Sequence, residues 1–205
     1  AAQFIWAGAT RYGERGVYAL LGETKEAFVR HMLQFGMDFI SLESERRVRV
    51  LELPITREEG LQANLDKIME ALTSMNATRL VIDSFTAISI VLKEELDVRI
   101  MISLLYKFLQ GKHCVSFVIY DLPWGIFHIA HGVDFLADGV VALQSRFGKN
   151  GELRRVMKVM KMRGTDHVKN VVPYEIDRSG MRFLTPIISR NENIIMANNL
   201  DRKSL

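Results

Sequence analysis

Apolar residues alternate between short runs and helical stripes along roughly the first 120 positions. Val17-Tyr18-Ala19-Leu20-Leu21 follows the turn-like Tyr12-Gly13-Glu14-Arg15-Gly16, and its length predicts a buried strand. Thr24 then opens a helix, with Phe28, Met32 and Phe35 on one face and Gly36 at its stop. Arg47 to Leu53 reads as a strand closed by Pro54. Thr56-Arg57-Glu58-Glu59 has capping-box spacing, and Leu61, Leu65, Ile68, Met69 and Leu72 form one stripe behind it. Leu80-Val81-Ile82-Asp83-Ser84 is a buried strand that ends in an acid. Ile100 to Leu109 is helical, and Val115 to Ile119 is again a strand. Ala1 to Gly8 reads as the back half of a helix, so the chain begins in mid-element.

Strands alternating with helices predict an α/β fold, with a mostly parallel sheet covered on both faces. After Gly139 the pattern changes. Val140 to Leu143, Leu153 to Arg163, Val171 to Ile176 and Met181 to Leu184 are strands without intervening helices, and Gly148-Lys149-Asn150-Gly151 signals a hairpin. They predict a C-terminal antiparallel extension of the sheet. Residues 1–190 are expected to form a single domain, and the polar stretch 191–205 a flexible tail.

Composition narrows the picture without deciding it. The chain has 205 residues, enough for one substantial core, with 48% hydrophobic and 25% charged residues. No apolar stretch reaches the length of a membrane span. The lone cysteine, Cys114, lies in the apolar run Cys114 to Ile119, is expected to be a buried thiol, and excludes a disulfide framework; a cytoplasmic location is expected. The net charge of +3 is unevenly spread. Arg154 to Lys169 holds six Lys or Arg against Asp166 alone, a local +5 that leaves −2 for the remainder. Positive potential concentrated in one segment suits an anion site.

Within that segment lies Lys161-Met162-Arg163-Gly164-Thr165-Asp166-His167. On a strand, Lys161 and Arg163 would share a face, about 6.5–7 Å apart. Two cations aimed alike, one with a planar fork, match phosphoryl oxygens. A solvated basic strand is the plainer alternative. Asp83 ends an apolar strand, where ligands collect in open α/β sheets and where a Walker B acid would hold Mg²⁺. Ser84 either assists through its hydroxyl or caps the next turn. Glu23 stands just past the strand 17–21. It either orients a water beside Asp83 or merely favours the helix start at Thr24. His128 and His131 lack an evident third metal ligand, His31 and His113 read as surface positions, and Trp124 falls in a loop.

Taken in order, five segments resemble the KaiC family within the RecA-like ATPases. They are Val17 to Thr24, Gln34-Phe35-Gly36-Met37-Asp38, Leu80 to Ser84, His131 to Val141 and Lys161 to His167. The resemblance runs from residue 1 to about 185, and the Lys-Met-Arg-Gly-Thr-x-His segment is its most specific part. It implies an ATP-binding domain that assembles as a homo-oligomeric ring, commonly a hexamer, with nucleotide between subunits. By that match Asp83 is the Mg²⁺-associated acid. Lys161 and Arg163 reach the phosphates of ATP held by the adjacent subunit. Met162, Thr165, His167 and Lys169 lie along the same nucleotide, and Gln34 and Asp177 fall where base or ribose is touched.

Three departures qualify the resemblance. The Gly-rich phosphate loop with its Lys-Thr pair belongs before a helix like Ala1 to Gly8 and is expected to precede Ala1. Without its N–H groups ATP would bind poorly. The family often carries two Glu where this chain has Gly22-Glu23, so either hydrolysis is slow or Glu23 takes the role of activating water. Asp134 and Phe135 occupy the positions of the phosphorylated Ser and Thr of clock-type members, so no oscillator or autokinase is expected. The leading expectation is therefore a Mg²⁺-dependent ATPase, with a protein client among its conceivable partners. Alternatives are a nucleotide-binding regulator that barely hydrolyses, and a recombinase-like protein binding single-stranded DNA. The last ranks lowest, because a basic patch committed to ATP is not free for nucleic acid.

Overall fold

The computed structural model describes residues 1–54, 58–92, 95–122, 134–148 and 150–184. The capping-box residues Thr56 and Arg57, Trp124, His128, His131, Lys149 and the 191–205 tail lie outside them. The chain divides into two compact units, residues 1–140 with 177–180, and residues 141–176 with the chain from 181.

The first unit opens with α1 (Ala2–Arg11), β1 (Gly16–Leu21), α2 (Lys25–Leu33), α3 (Phe39–Ser44) and β2 (Val48–Leu53). It continues with α4 (Glu58–Met75), β3 (Arg79–Asp83), α5 (Phe85–Val91), α6 (Glu95–Gln110) and β4 (Val115–Val118). Its strands lie in the order β2-β1-β3-β4, all parallel, as the alternation of elements predicts. Strand periodicity splits the core between two faces. Val17, Ala19 and Leu21 of β1 and Leu80 and Ile82 of β3 pack with α4, α5 and α6. Tyr18 and Leu20 of β1, with Val81 of β3, pack on the other face with Ile5 of α1, Phe28 of α2 and Phe39 of α3. Burying both faces explains why β1 is buried throughout and carries no charged side chain.

Two short helices escaped the periodicity. In α3 the signal is the cap: Asp38 accepts from the Ser41 backbone N–H at 3.0 Å. In α5 only seven residues follow Ser84, too few for a helical stripe to show. Cys114 corrects an expectation. It is half-buried, at the entrance to β4, because β4 ends the described sheet and has only β3 beside it. Val115 and Phe117 of that strand are likewise exposed.

α1 is held against the sheet by Arg79 at the start of β3. The Arg79 guanidinium pairs with Glu14, donates to the Phe4 carbonyl at 2.7 Å and lies over the Phe4 ring. Gly8 makes the room, since a Cβ there would sit 2.5 Å from Arg79 Cδ and Nε. With Arg79 pinned by Glu14 and Phe4, Gly8→Ala is expected to cost about 1–3 kcal/mol by overpacking, read as a lower urea midpoint.

The second unit carries a separate sheet in the order β5-β6-β7-β8, formed by β5 (Gly139–Phe147), β6 (Leu153–Met162), β7 (Val172–Asp177) and β8 (Gly180–Phe183). β6 and β7 are antiparallel, with Arg155 opposite Tyr174. Gly151 adopts φ +78° just before β6, the left-handed backbone that glycine permits.

Candidate functional site

The carboxyl ends of β1 and β3 lie side by side, with Leu20 opposite Asp83. Asp83 shares a strand face with Val81, the face covered by α1, because side chains alternate. Tyr18 of β1 lies on that face too, and its hydroxyl donates to Asp83 Oδ2 at 2.5 Å. The tyrosine is 2% exposed and its ring is 4.5 Å from that of Phe28. Burial, then the bond to Asp83, then the charges of Asp83 and Glu23 push its pKa far above the ordinary range. The hydroxyl therefore remains a donor, and it senses both carboxylates. The start of α1 comes close to Asp83.

Glu23 follows β1 in an exposed loop. Thr24 caps α2 by accepting from the Ala27 N–H at 3.3 Å, and Glu52 of β2 accepts from the Lys25 N–H at 2.8 Å. The Glu23 carboxylate meets His31 Nδ1 at 3.1 Å, both groups about half exposed. Ser84 occupies the N-cap position of α5, yet its side chain makes no capping bond. That leaves the hydroxyl at the strand end beside Asp83. Gln34 is exposed at the C-cap of α2, one turn beyond His31.

In the second unit, β6 delivers the basic segment. The strand ends at Met162, one residue earlier than expected, because Arg163 enters a turn with Gly164 at φ +69°. Lys161 and Met162 are half-buried and Arg163 is exposed. Thr165 and Lys169 are exposed and His167 is half-buried in the segment that follows. Asp177, which groups with the first unit, ends β7, and its carboxylate accepts from the Ser179 N–H at 2.8 Å and from the Ser179 hydroxyl at 2.6 Å.

The fold thus brings Asp83, Ser84 and Glu23 to one edge of the parallel sheet, while Lys161 to Lys169 belong to the other unit. Sequence reading missed Tyr18 and the partnership of His31 with Glu23. A signal existed for Tyr18. It is the one hydroxyl in an otherwise apolar buried strand, and a buried phenol needs an acceptor. For His31 none existed, since the contact spans two helical turns through exposed side chains.

The chain is similar to proteins already described. A family model for the ATPase KaiC matches residues 1–187. The UPF0273 protein of Pyrococcus furiosus is 29% identical over 195 residues, covering 87% of this chain and 77% of that protein. The circadian clock oscillator protein KaiC of Parathermosynechococcus lividus is 25% identical over 98% of this chain, which spans 40% of the clock protein's length. The crystal structure of a KaiC-like protein from Pyrococcus horikoshii superimposes with a TM-score of 0.80 at 32% identity, covering 90% of this chain and 82% of that one. With the family model running through both units, the chain belongs to the KaiC family of ATPases, and it carries a nucleotide-binding ATPase domain of RecA-like α/β fold.

Proposed function

We propose that this protein hydrolyses ATP with Mg²⁺ at the interfaces of a homo-oligomeric ring, commonly a hexamer. The observation that carries the reading is the placement of Asp83 at the carboxyl end of β3, beside the end of β1 from which Glu23 extends. Ligands collect at such strand ends in open α/β sheets.

The residues fit a magnesium ion. Among the described residues no group of three or more His, Cys, Asp or Glu side chains could enclose a metal. A single carboxylate with a neighbouring hydroxyl suits Mg²⁺, which takes one or two protein ligands and fills its remaining positions with water and phosphate. Asp83 would hold it and Ser84 would lie alongside. Bound there, the ion would supply charge neutralisation at the phosphates. Glu23 would orient or deprotonate the attacking water, with its carboxylate steadied by His31. Lys161 and Arg163 would act from the adjacent protomer on the transferring phosphoryl group. Met162, Thr165, His167 and Lys169 would run along the same nucleotide, and Gln34 and Asp177 would contact its base or ribose. EDTA is expected to stop phosphate release by the full-length protein, and excess Mg²⁺ to restore it. Turnover that persists without divalent metal would contradict this reading.

Gly22 favours a second reading, a nucleotide-binding regulator that hydrolyses weakly, because the family often has glutamate there. Its backbone stands at φ +104°, outside the comfortable range of side-chain-bearing residues. Gly22→Glu is therefore expected to cost about 1–2 kcal/mol of stability and to leave turnover unchanged. A large rise in turnover would support the regulator reading instead. No observation favours the DNA-binding alternative, and the absence of salt-dependent oligonucleotide binding would remove it.

A further inference from the structure

We infer that Tyr18 is a positioning residue for the metal-binding carboxylate of Asp83. The inference rests on the assignment of Asp83 to Mg²⁺ made above and deepens it. An aspartate at the last position of a strand is half free. Its side chain is attached to an ordered backbone, yet it can turn its two oxygens about the Cβ–Cγ bond. Tyr18 removes that freedom. Its hydroxyl donates to Oδ2 at 2.5 Å, so one oxygen is committed to a protein partner and Oδ1 would be left for the metal.

The donor is itself held firmly. Tyr18 sits on the central strand β1, directly flanked by β2 and β3. Its ring is 4.5 Å from Phe28 and 6.4 Å from Phe39, and Phe39 is fully buried. The phenol can neither swing away nor exchange its partner for bulk water. Donors that hold a ligating carboxylate are known to matter nearly as much as the ligand, because a fixed oxygen loses little entropy when the ion arrives.

The experiment measures metal binding rather than turnover. Mn²⁺ serves as the probe, titrated by electron paramagnetic resonance into full-length protein saturated with a non-hydrolysable ATP analogue. Tyr18→Phe keeps the ring and its packing and deletes only the donor. The Mn²⁺ affinity of this variant is expected to fall about ten-fold. Phe39→Leu, which disturbs the same aromatic packing without touching the hydroxyl, is expected to keep the parent affinity. In an Asp83→Asn background, adding Tyr18→Phe is expected to change nothing further. Equal or tighter Mn²⁺ binding by Tyr18→Phe would overturn the inference while leaving the Mg²⁺ assignment standing. An equal loss in Phe39→Leu would overturn it as well, since packing alone would then explain the effect. If the parent bound no Mn²⁺ with the analogue present, the Mg²⁺ assignment would fall and the inference with it.

Discussion

Arg163→Ala is expected to lower the ATP turnover number by about 10³-fold or more, the range seen when an arginine finger is removed from a phosphoryl-transfer site. The argument is electrostatic. Charge spreads over the equatorial oxygens of the transferring phosphoryl group, and a guanidinium fork meets two of them at once. Arg163 is exposed in the turn after β6, so its removal is expected to leave Tm close to that of the parent. Arg163→Lys should rescue little, because an ammonium lacks the planar bidentate fork. Nucleotide affinity should change far less than turnover, since the finger acts chiefly in the transition state. Steady-state phosphate release and fluorescent-nucleotide titration separate the two quantities. Unchanged turnover would remove the finger role.

Asp83→Ala is expected to abolish metal-dependent turnover and also to destabilise the fold. The two losses have different causes. The first is the loss of the carboxylate proposed to hold Mg²⁺. The second is the Tyr18 hydroxyl, which would remain buried without its acceptor, at a cost of about 1–3 kcal/mol. For a chain of this length each kcal/mol lowers Tm by about 2–4 °C. Asp83→Asn separates the effects, because the amide carbonyl can still accept from Tyr18 but provides no negative charge for the ion. Its turnover should be as low as that of Asp83→Ala, with a Tm nearer the parent's. Calorimetry of the three proteins beside their phosphate-release rates provides the comparison. Two variants of equal Tm would mean that the hydroxyl has no energetic stake in Asp83.

The parallel sheet was legible in the sequence because its strands are buried on both faces. A run such as Val17 to Leu21 can hardly be anything else when turn residues and a capped helix flank it. The later strands were legible because the Asn-Gly turn and the lack of helical stripes excluded α-helix. Short helices were not, because α3 offers six residues and one cap, less than two turns of pattern. Of the site, Asp83 could be read from its place at the end of an apolar strand. Its neighbourhood with Glu23 needed the pairing of β1 with β3, which strand sequences do not encode locally. Tyr18 was passed over because a tyrosine in an apolar run reads as core, although its buried hydroxyl called for an acceptor. The strand of the basic segment was drawn one residue too long. Gly164 marks a turn that takes in the residue before it, and periodicity alone did not show that.

The central claim is that one ATP is served by Asp83 of one protomer and Arg163 of the next. It is tested most directly by mixing two inactive proteins, Asp83→Asn and Arg163→Ala, under conditions where subunits exchange, and measuring phosphate release. In a head-to-tail ring, roughly one interface in four of an equal mixture would hold both intact groups, so activity should return to about a quarter of the parent's. A mixture that exchanges subunits yet stays as inactive as its components would contradict the account.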